Sequence, residues 1–434
     1  MRVYSVGDGY NVTCNLLMII KAYKQNTIIV NMASEEIKFE VIKKISELGF
    51  KSQNIGNISK LDGSSPPSVF VGSKLQYPLV NVGILSPLQR DENAWVYDKP
   101  KYWAEQNLQI NDVVKLRDSL LNSRFQSNVK DVRHNKKFLD MAQDIAVASN
   151  PVDVEIELKN KVSVGREKDQ ILTPHGMRAG LKSAKIVSNV KIDRKLDRVM
   201  NDDMKATEAF RTLYKNKFDE YLLSKILSIG VLGLKKNRKL VPTRWSITAT
   251  DDTLGKQLLE KIKKYKWIEN YELFYGSFLG NHYLIMLFPS MWGYELFELY
   301  LPGSSWNPTS RIRASTDFEP YSGRKEYAYA TAGGYYASRL PIIEYLESIK
   351  KQAGVIAIRL ETPSYWAALG VWVVRESVRK ALSNKKLDFT KMEEIVESSK
   401  KIGMIKFGFD NSDLLKRSRL LEQIRTQRSL GDWL

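Results

Sequence analysis

The side chains able to bind or react fall in a few stretches of the 434-residue chain, and the last eight residues are the most pointed. In Gln427-Arg428-Ser429-Leu430-Gly431-Asp432-Trp433-Leu434, the apolar Leu430, Trp433 and Leu434 stand at i, i+3 and i+4, so one helical turn puts them on a single side. Such a triad suits a hydrophobic pocket on another protein, with the Gln427 amide donating and accepting at the pocket rim. The alternative is that the tail folds back and Trp433 plugs the chain's own core. A second stretch, Lys235-Lys236-Asn237-Arg238-Lys239, precedes Arg244 and Trp245. Cations beside an aromatic hold a phosphate backbone and stack on a base. The planar fork of Arg244 suits phosphate, whereas Trp245 opens an apolar run and is read as buried.

Other candidates carry competing readings. Asp251 and Asp252, with Glu361 or Glu376 as a distant third acid, could hold magnesium for phosphodiester chemistry. Neighbours on a strand point opposite ways, however, and aspartates ahead of a helix cap it, so capping is the expected role. His282 follows a turn, where it could act as a general base, and is read as structural. Gly63-Ser64-Ser65-Pro66-Pro67 offers an anion nest from Ser64, Ser65 and backbone N–H groups. It lacks the Gly-Lys-Ser/Thr ending of a nucleotide loop and its prolines remove donors, so a rigid turn is the equal alternative and an ATPase is not expected. Tyr335 and Arg339 follow Gly333-Gly334, and Arg359, Arg375 and Arg379 lie on nearby elements. Convergent arginines and tyrosines could form a pocket for an anion or nucleotide, or else pair with Glu361 and Glu376.

Composition sets the frame. Hydrophobic content of 43% and charged content of 27% are those of a globular chain long enough for two or three domains. With 67 Lys and Arg against 49 acids, the net charge of +18 favours an acidic partner such as nucleic acid. One cysteine, Cys14, and three scattered histidines rule out an internal disulfide and do not make a four-ligand zinc site. No cofactor is evident; zinc is not expected, and magnesium enters only with a nuclease reading. No apolar run reaches membrane-spanning length, which leads to a cytoplasmic expectation.

The elements that must position these residues form an α+β protein. Ser34–Leu48 reads as an amphipathic helix; Ser68–Gly72, Leu79–Gly83 and Val152–Leu158 read as strands. Helices are expected near Ile110–Leu121, Lys137–Ala148 and within Ile192–Leu232, then a strand over Trp245–Thr250 and a helix over Thr253–Tyr265. Tyr271–Phe278 and His282–Phe288 flank Leu279-Gly280-Asn281 as a β-hairpin. Pro302–Ser310 marks a boundary, after which helices dominate: Ala337–Gln352, Ala367–Leu382, Phe389–Ser399 and Asn411–Ile424, with Gly403–Gly408 as a connector. The expected division is a mixed N-terminal region with short strands and a hairpin (1–305), a mostly helical C-terminal domain (306–425) and a tail (426–434).

The spacing Gln427, Leu430, Trp433, Leu434 resembles the box by which replication and repair proteins dock on the sliding clamp (PCNA), with Leu in place of a second aromatic. Six segments resemble the archaeal Nre family of DNA repair proteins: Gly63–Gly72, Tyr77–Gly83, Leu240–Asp252, Leu279–Pro289, Tyr327–Arg339 and Glu361–Ala381. The resemblance implies a role in DNA repair and a clamp-binding box at the C-terminus. Family members typically begin with a cysteine-rich, zinc-finger-like segment, whereas this chain keeps only Cys14, so any finger is read as lost. The expectation is a DNA-binding repair factor recruited to the clamp. The alternatives are a metal-dependent nuclease or nucleotide-processing enzyme acting in repair, and an RNA-binding factor.

Overall fold

The computed structural model describes residues 58–134, 136–160, 162 and 172–426. The helix expected at Ser34–Leu48 and the tail Gln427–Leu434 lie outside the described residues. Those described form two compact units, one holding 58–254 with Ala367–Trp372, the other Gly255–Trp366 with 373–426.

The first unit is built on a six-stranded sheet of order β1-β5-β6-β4-β3-β2. Its strands are β1 (Lys60–Ser65), β2 (Val69–Val71), β3 (Leu79–Ser86), β4 (Leu121–Asn128), β5 (Val152–Leu158) and β6 (Arg178–Ile186). Only the β4–β6 pair is parallel. Alternation decides which face is core: Val80, Val82 and Ile84 of β3 are buried, as are Val152, Val154, Ile156 and Leu158 of β5. Helices α1 (Pro100–Glu105) and α2 (Ile110–Asp118) precede β4, and α3 (Lys137–Val147) packs its Leu139, Ala142 and Ile145 face against the sheet. Then come α4 (Arg194–Asn201), α5 (Ala206–Lys215) and α6 (Glu220–Ser228). Asp193 caps α4 by accepting from the Lys195 and Leu196 amides, and Asp219 caps α6 through the Leu222 amide at 2.9 Å.

Two sequence expectations change here. Gly63–Ser65, read as a loop, is the end of strand β1, paired with Val152–Val154 of β5. Trp245–Thr250, read as a strand, is the first part of a 20-residue helix, α7 (Thr243–Ile262). Alternation over six residues favoured a strand, but the segment opens a helix: Trp245, Ser246, Thr248, Ala249 and Thr250 are buried on several sides of it, and Leu254, Leu258 and Ile262 follow at i, i+4 and i+8 on one side. Asp251 and Asp252 are therefore mid-helix residues, not caps.

The second unit has a six-stranded sheet of order β10-β9-β11-β8-β7-β12. It comprises β7 (Tyr271–Phe278), β8 (Asn281–Phe288), β9 (Gly293–Tyr300), β10 (Arg313–Glu319), β11 (Gly354–Glu361) and β12 (Leu387–Phe389). The expected hairpin joins β7 and β8 through Leu279 (φ 49°) and Gly280 (φ 75°), the pair of left-handed residues that a twisted two-residue hairpin needs. Pro302–Ser310 connects β9 to β10, neighbours in this one sheet. The C-terminal region supplies α8 (Gly334–Ile349), α9 (Trp372–Ser383), α10 (Met392–Phe407), α11 (Ser412–Lys416) and α12 (Arg419–Thr426), along with three strands that the sequence reading did not place. Gly403–Gly408, expected as a connector, largely continues α10, with Gly408 its left-handed C-cap.

Every residue of β11 is buried, so its run lacks alternation and reads equally as buried helix. One face of the sheet packs Met286, Phe297, Ile356 and Ile358 against Ile395, Leu415 and Leu421 of α10–α12. α12 is also held by a carboxylate: Glu295 of β9 accepts from the Leu420 amide at 3.1 Å and the Arg419 amide at 3.2 Å. α9 closes on β7 where Gly276 has no side chain, since a Cβ there would sit 2.4 Å from Ala381 Cα. Gly276→Ala should force strand and helix apart and cost roughly 1–3 kcal/mol, read from the urea midpoint at unchanged slope; unaltered stability would show that the two elements are not held this closely.

Candidate nucleic-acid interface

The first unit carries a run of exposed cations. From β6 to α7, the side chains of Lys182 (paired with Glu157), Lys185, Lys191, Arg194, Lys195, Arg198, Lys205, Arg211, Lys215, Lys217, Lys235 and Lys236 are all exposed. α4 shows how the sequence achieves this. Leu196 and Val199 face inward, leaving Arg194, Lys195 and Arg198 to water.

The Lys235–Lys239 knot has a defined geometry. Lys235–Asn237 is one 3-10 turn, fixed where the Lys235 amide donates to Asp203 Oδ1 at 2.6 Å. Lys235 and Lys236 project to solvent, and among the described residues neither makes an ion pair. Arg238 instead turns inward. Its guanidinium donates to the carbonyls of Gly233 (2.9 Å) and Met200 (2.7 Å), tying the turn to the end of α4. Arg133, which the sequence reading did not single out, is exposed and donates through Nε to the Arg238 carbonyl at 3.0 Å. Lys239 is half-buried, and burial, then the charge of Arg133, pushes its pKa below the usual lysine value. The Arg133 and Lys239 charges repel, and a bound anion would relieve that repulsion. Arg244 sits half-buried in the first turn of α7, and Trp245 is buried as the sequence reading favoured.

The other sequence-selected residues have partners. Ser64 Oγ donates to Asp153 Oδ1 at 2.6 Å and Ser65 Oγ to the Leu85 carbonyl at 2.7 Å, so both hydroxyls are engaged inside the fold instead of lining a loop. Close by, Lys225 donates to the Pro67 carbonyl; burial pushes its pKa down, opposed by Asp98 and Asp219. No sequence signal marked this lysine. Asp251 is fully buried in α7 with Asp252 next to it. Among the described residues, no three His, Cys, Asp or Glu side chains come together as a metal site.

In the second unit the tyrosines and arginines meet carboxylates. Arg359 donates to Asn281 Oδ1 through both Nε (2.9 Å) and Nη2 (2.6 Å), to Glu298 at 2.6 Å and to Glu361 at 3.0 Å. Tyr300 adds a hydroxyl bond to Glu298 at 3.0 Å. Arg339 pairs with Glu319, which also accepts from the Tyr335 hydroxyl at 2.9 Å. Burial pushes the Tyr300 and Tyr335 pKa values well up, so both phenols remain protonated donors. Arg379 pairs with Glu344 at 3.0 Å and Glu376 at 2.7 Å, and Arg375 is buried on the same helix. Of the two sequence readings for this cluster, the ion pairs with Glu361 and Glu376 are what Arg359 and Arg379 make. His282 lies against Tyr275, Nδ1 to hydroxyl 3.0 Å, with its ring 4.8 Å edge-on from Phe407. Burial, then Lys406, depresses its pKa.

Two predictions follow from these environments. Arg359→Leu leaves Glu298 and Glu361 buried without their cation and should cost roughly 3–5 kcal/mol in urea unfolding. Lys236→Ala, on the surface, should change stability by less than about 0.5 kcal/mol; equal losses would refute the distinction. For His282, the unfolded chain binds the proton more readily than the folded one, so stability is complete above the ordinary imidazole pKa of 6.5 and falls as pH drops through the depressed value. His282→Gln should therefore flatten that part of the acid limb, measured as urea midpoints from about pH 7 to 5.

With the geometry in place, comparison with known proteins identifies the family. The model described as "Archaeal Nre, N-terminal" matches residues 34–307, and "Archaeal Nre, C-terminal" matches 319–433. The gap between them falls just after the expected boundary near 305, whereas the compact units divide within α7. Similar proteins include DNA repair protein NreA of Haloferax volcanii, 37% identical over 82% of this chain and 86% of that protein. DNA repair protein NreA of Archaeoglobus fulgidus is 41% identical over 79% of this chain and 85% of its own length. DNA repair protein NreB of the same organism is 37% identical over 86% of this chain and 91% of its own. No solved structure matches. Two consecutive family models and relatives aligned over most of their lengths lead to one conclusion: the chain belongs to the archaeal Nre family.

Proposed function

We propose that this protein is a DNA repair factor that binds DNA through the basic surface of its first unit and is recruited to the sliding clamp through Gln427, Leu430, Trp433 and Leu434. The repair role rests on relatives named as DNA repair proteins at 37–41% identity. The single observation carrying DNA contact is the exposed Lys235-Lys236 turn, fixed to α4 through Arg238 and flanked by Arg133. Cations held on a rigid scaffold neutralise backbone phosphates with little ordering cost. The tail contributes the second contact. Once it occupies a clamp on DNA, the effective concentration of the basic body at that DNA rises, so neither contact needs to be strong alone.

The proposal divides into two separable tests. In calorimetric titrations of the clamp, Trp433→Ala should abolish binding while the unfolding midpoint stays unchanged; full-strength binding by the variant would exclude the tail as the docking site. For DNA, Lys235→Ala with Lys236→Ala should weaken duplex binding uniformly across sequences and reduce the slope of log affinity against log salt by about two. An unchanged slope would remove this turn from the interface. Preference for RNA over DNA of equal length at matched salt would instead support the RNA-binding reading.

A further inference from the structure

The outward face of the first sheet has a composition that neither the fold nor the clamp tail requires. Helix α3 covers the face made by Val80, Val82 and Ile84. On the opposite face, register places Phe70 of β2 beside Gly83 of β3, and Gly83 beside Arg124 of β4. Asn81 stands opposite Gln126, and Asn122 opposite Arg178 of β6. Phe70, Asn81, Arg124 and Arg178 are half-buried and Gln126 is exposed. None of the residues that β2, β3 and β4 turn to this face is acidic.

The row Phe70–Gly83–Arg124 is arranged around a missing side chain. A Cβ on Gly83 would lie 1.8 Å from Asn122 Oδ1, so only glycine lets the buried Asn122 amide settle there. That amide in turn sits 3.0 Å from His175 Nε2, and the His175 ring meets Phe70 edge-on with centroids 5.3 Å apart. Arg124 reaches back across Gly83, its guanidinium carbon 6.0 Å from the Phe70 centroid. Ring and cation are thus both fixed at one level of the sheet, with two primary amides, Asn81 and Gln126, beside them. A positioned aromatic takes a base face, arginines take phosphate, and amides donate and accept at base edges. Base faces are open only where a strand is unpaired, since a duplex hides them in its stack.

We propose that this sheet face is a binding platform for single-stranded DNA, with a base on Phe70, the backbone on Arg124 and Arg178, and base edges at Asn81 and Gln126. The inference rests on the DNA-binding reading and adds the strand state that the Lys235-Lys236 turn, which contacts only backbone, cannot discriminate. It fits a protein that must engage a DNA region locally opened during repair.

The test uses the full chain, with fluorescence anisotropy on a thymidine single strand and on a duplex of equal length at one salt concentration. Phe70→Leu and Arg124→Gln should each weaken single-strand binding roughly ten-fold and leave duplex binding within about two-fold. Lys235→Ala with Lys236→Ala should weaken both forms. A second readout needs no variant: irradiating the wild-type protein with a bromodeoxyuridine-substituted strand should place the adduct on the peptides carrying Phe70 or Arg124. Single-strand affinity insensitive to both sheet variants, or crosslinks confined to other peptides, overturns the platform while leaving duplex binding standing. A protein that binds neither form at low salt overturns the DNA-binding reading itself. Variants that fail to fold leave the crosslink to decide.

Discussion

At the middle of the second sheet a single guanidinium holds three strands together. Arg359 projects from β11, the strand buried along its whole length, and bonds to Asn281 of β8 on one side and Glu298 of β9 on the other. A charge placed there is tolerable only because two carboxylates and an amide oxygen surround it, and those carboxylates are equally dependent on the arginine. The same surface of the sheet carries Tyr294, hydrogen-bonded to Ser338 of α8, and Tyr300 beside Glu298. This polar layer between sheet and helix coexists with the apolar layer on the opposite face, where α10–α12 pack. Each β11 side chain is thereby committed to one layer or the other, which sets strand register more firmly than apolar packing alone.

The first unit follows a different logic. Its sheet buries one face under α3 and leaves the other mixed, with Phe70 and Arg124 half-buried and Gln126 exposed. Its charge is carried by helices and turns that use few residues inward. α4 needs only Leu196 and Val199 for anchorage, and Arg238 gives its own charge to carbonyl groups so that Lys235 and Lys236 remain outside. Roles divide accordingly. Arg324, Arg339, Arg359 and Arg379 of the second unit are paired with acids, whereas among the described residues Lys235 and Lys236 make no ion pair.

A clamp-recruited repair factor requires a tether and a body, and these have different physical demands. For the proposed recruitment, a short anchor suffices in principle, because an aromatic and two aliphatic side chains filling a pocket supply a compact contact. The body needs cations whose positions survive competition from salt. α12, held on β9 by Glu295, is the last described element and belongs to the second unit.

Several features were legible in the chain without any structure. The alternation of Val152–Leu158 and the Leu279-Gly280 turn defined β5 and the β7–β8 hairpin, because period-two burial and left-handed turn residues are local requirements. The excess of Lys and Arg, the spacing of Gln427, Leu430, Trp433 and Leu434, and the family segments were also sequence properties outright. What only the tertiary structure decided were the matters that depend on distant partners. Ser64 and Ser65 became strand because β5 offers its edge, and Trp245–Thr250 became helix because burial on several sides, continued by Leu254, Leu258 and Ile262, suits a helix and not an alternating strand. Arg339 and Arg359 are ion-paired because Glu319 and Glu298 approach from other strands. Phe70, Gly83 and Arg124, up to 54 positions apart in the chain, became one row by strand pairing alone. Local propensity reads along the chain, whereas charge compensation and shared faces are properties of pairs that the chain brings together only by folding.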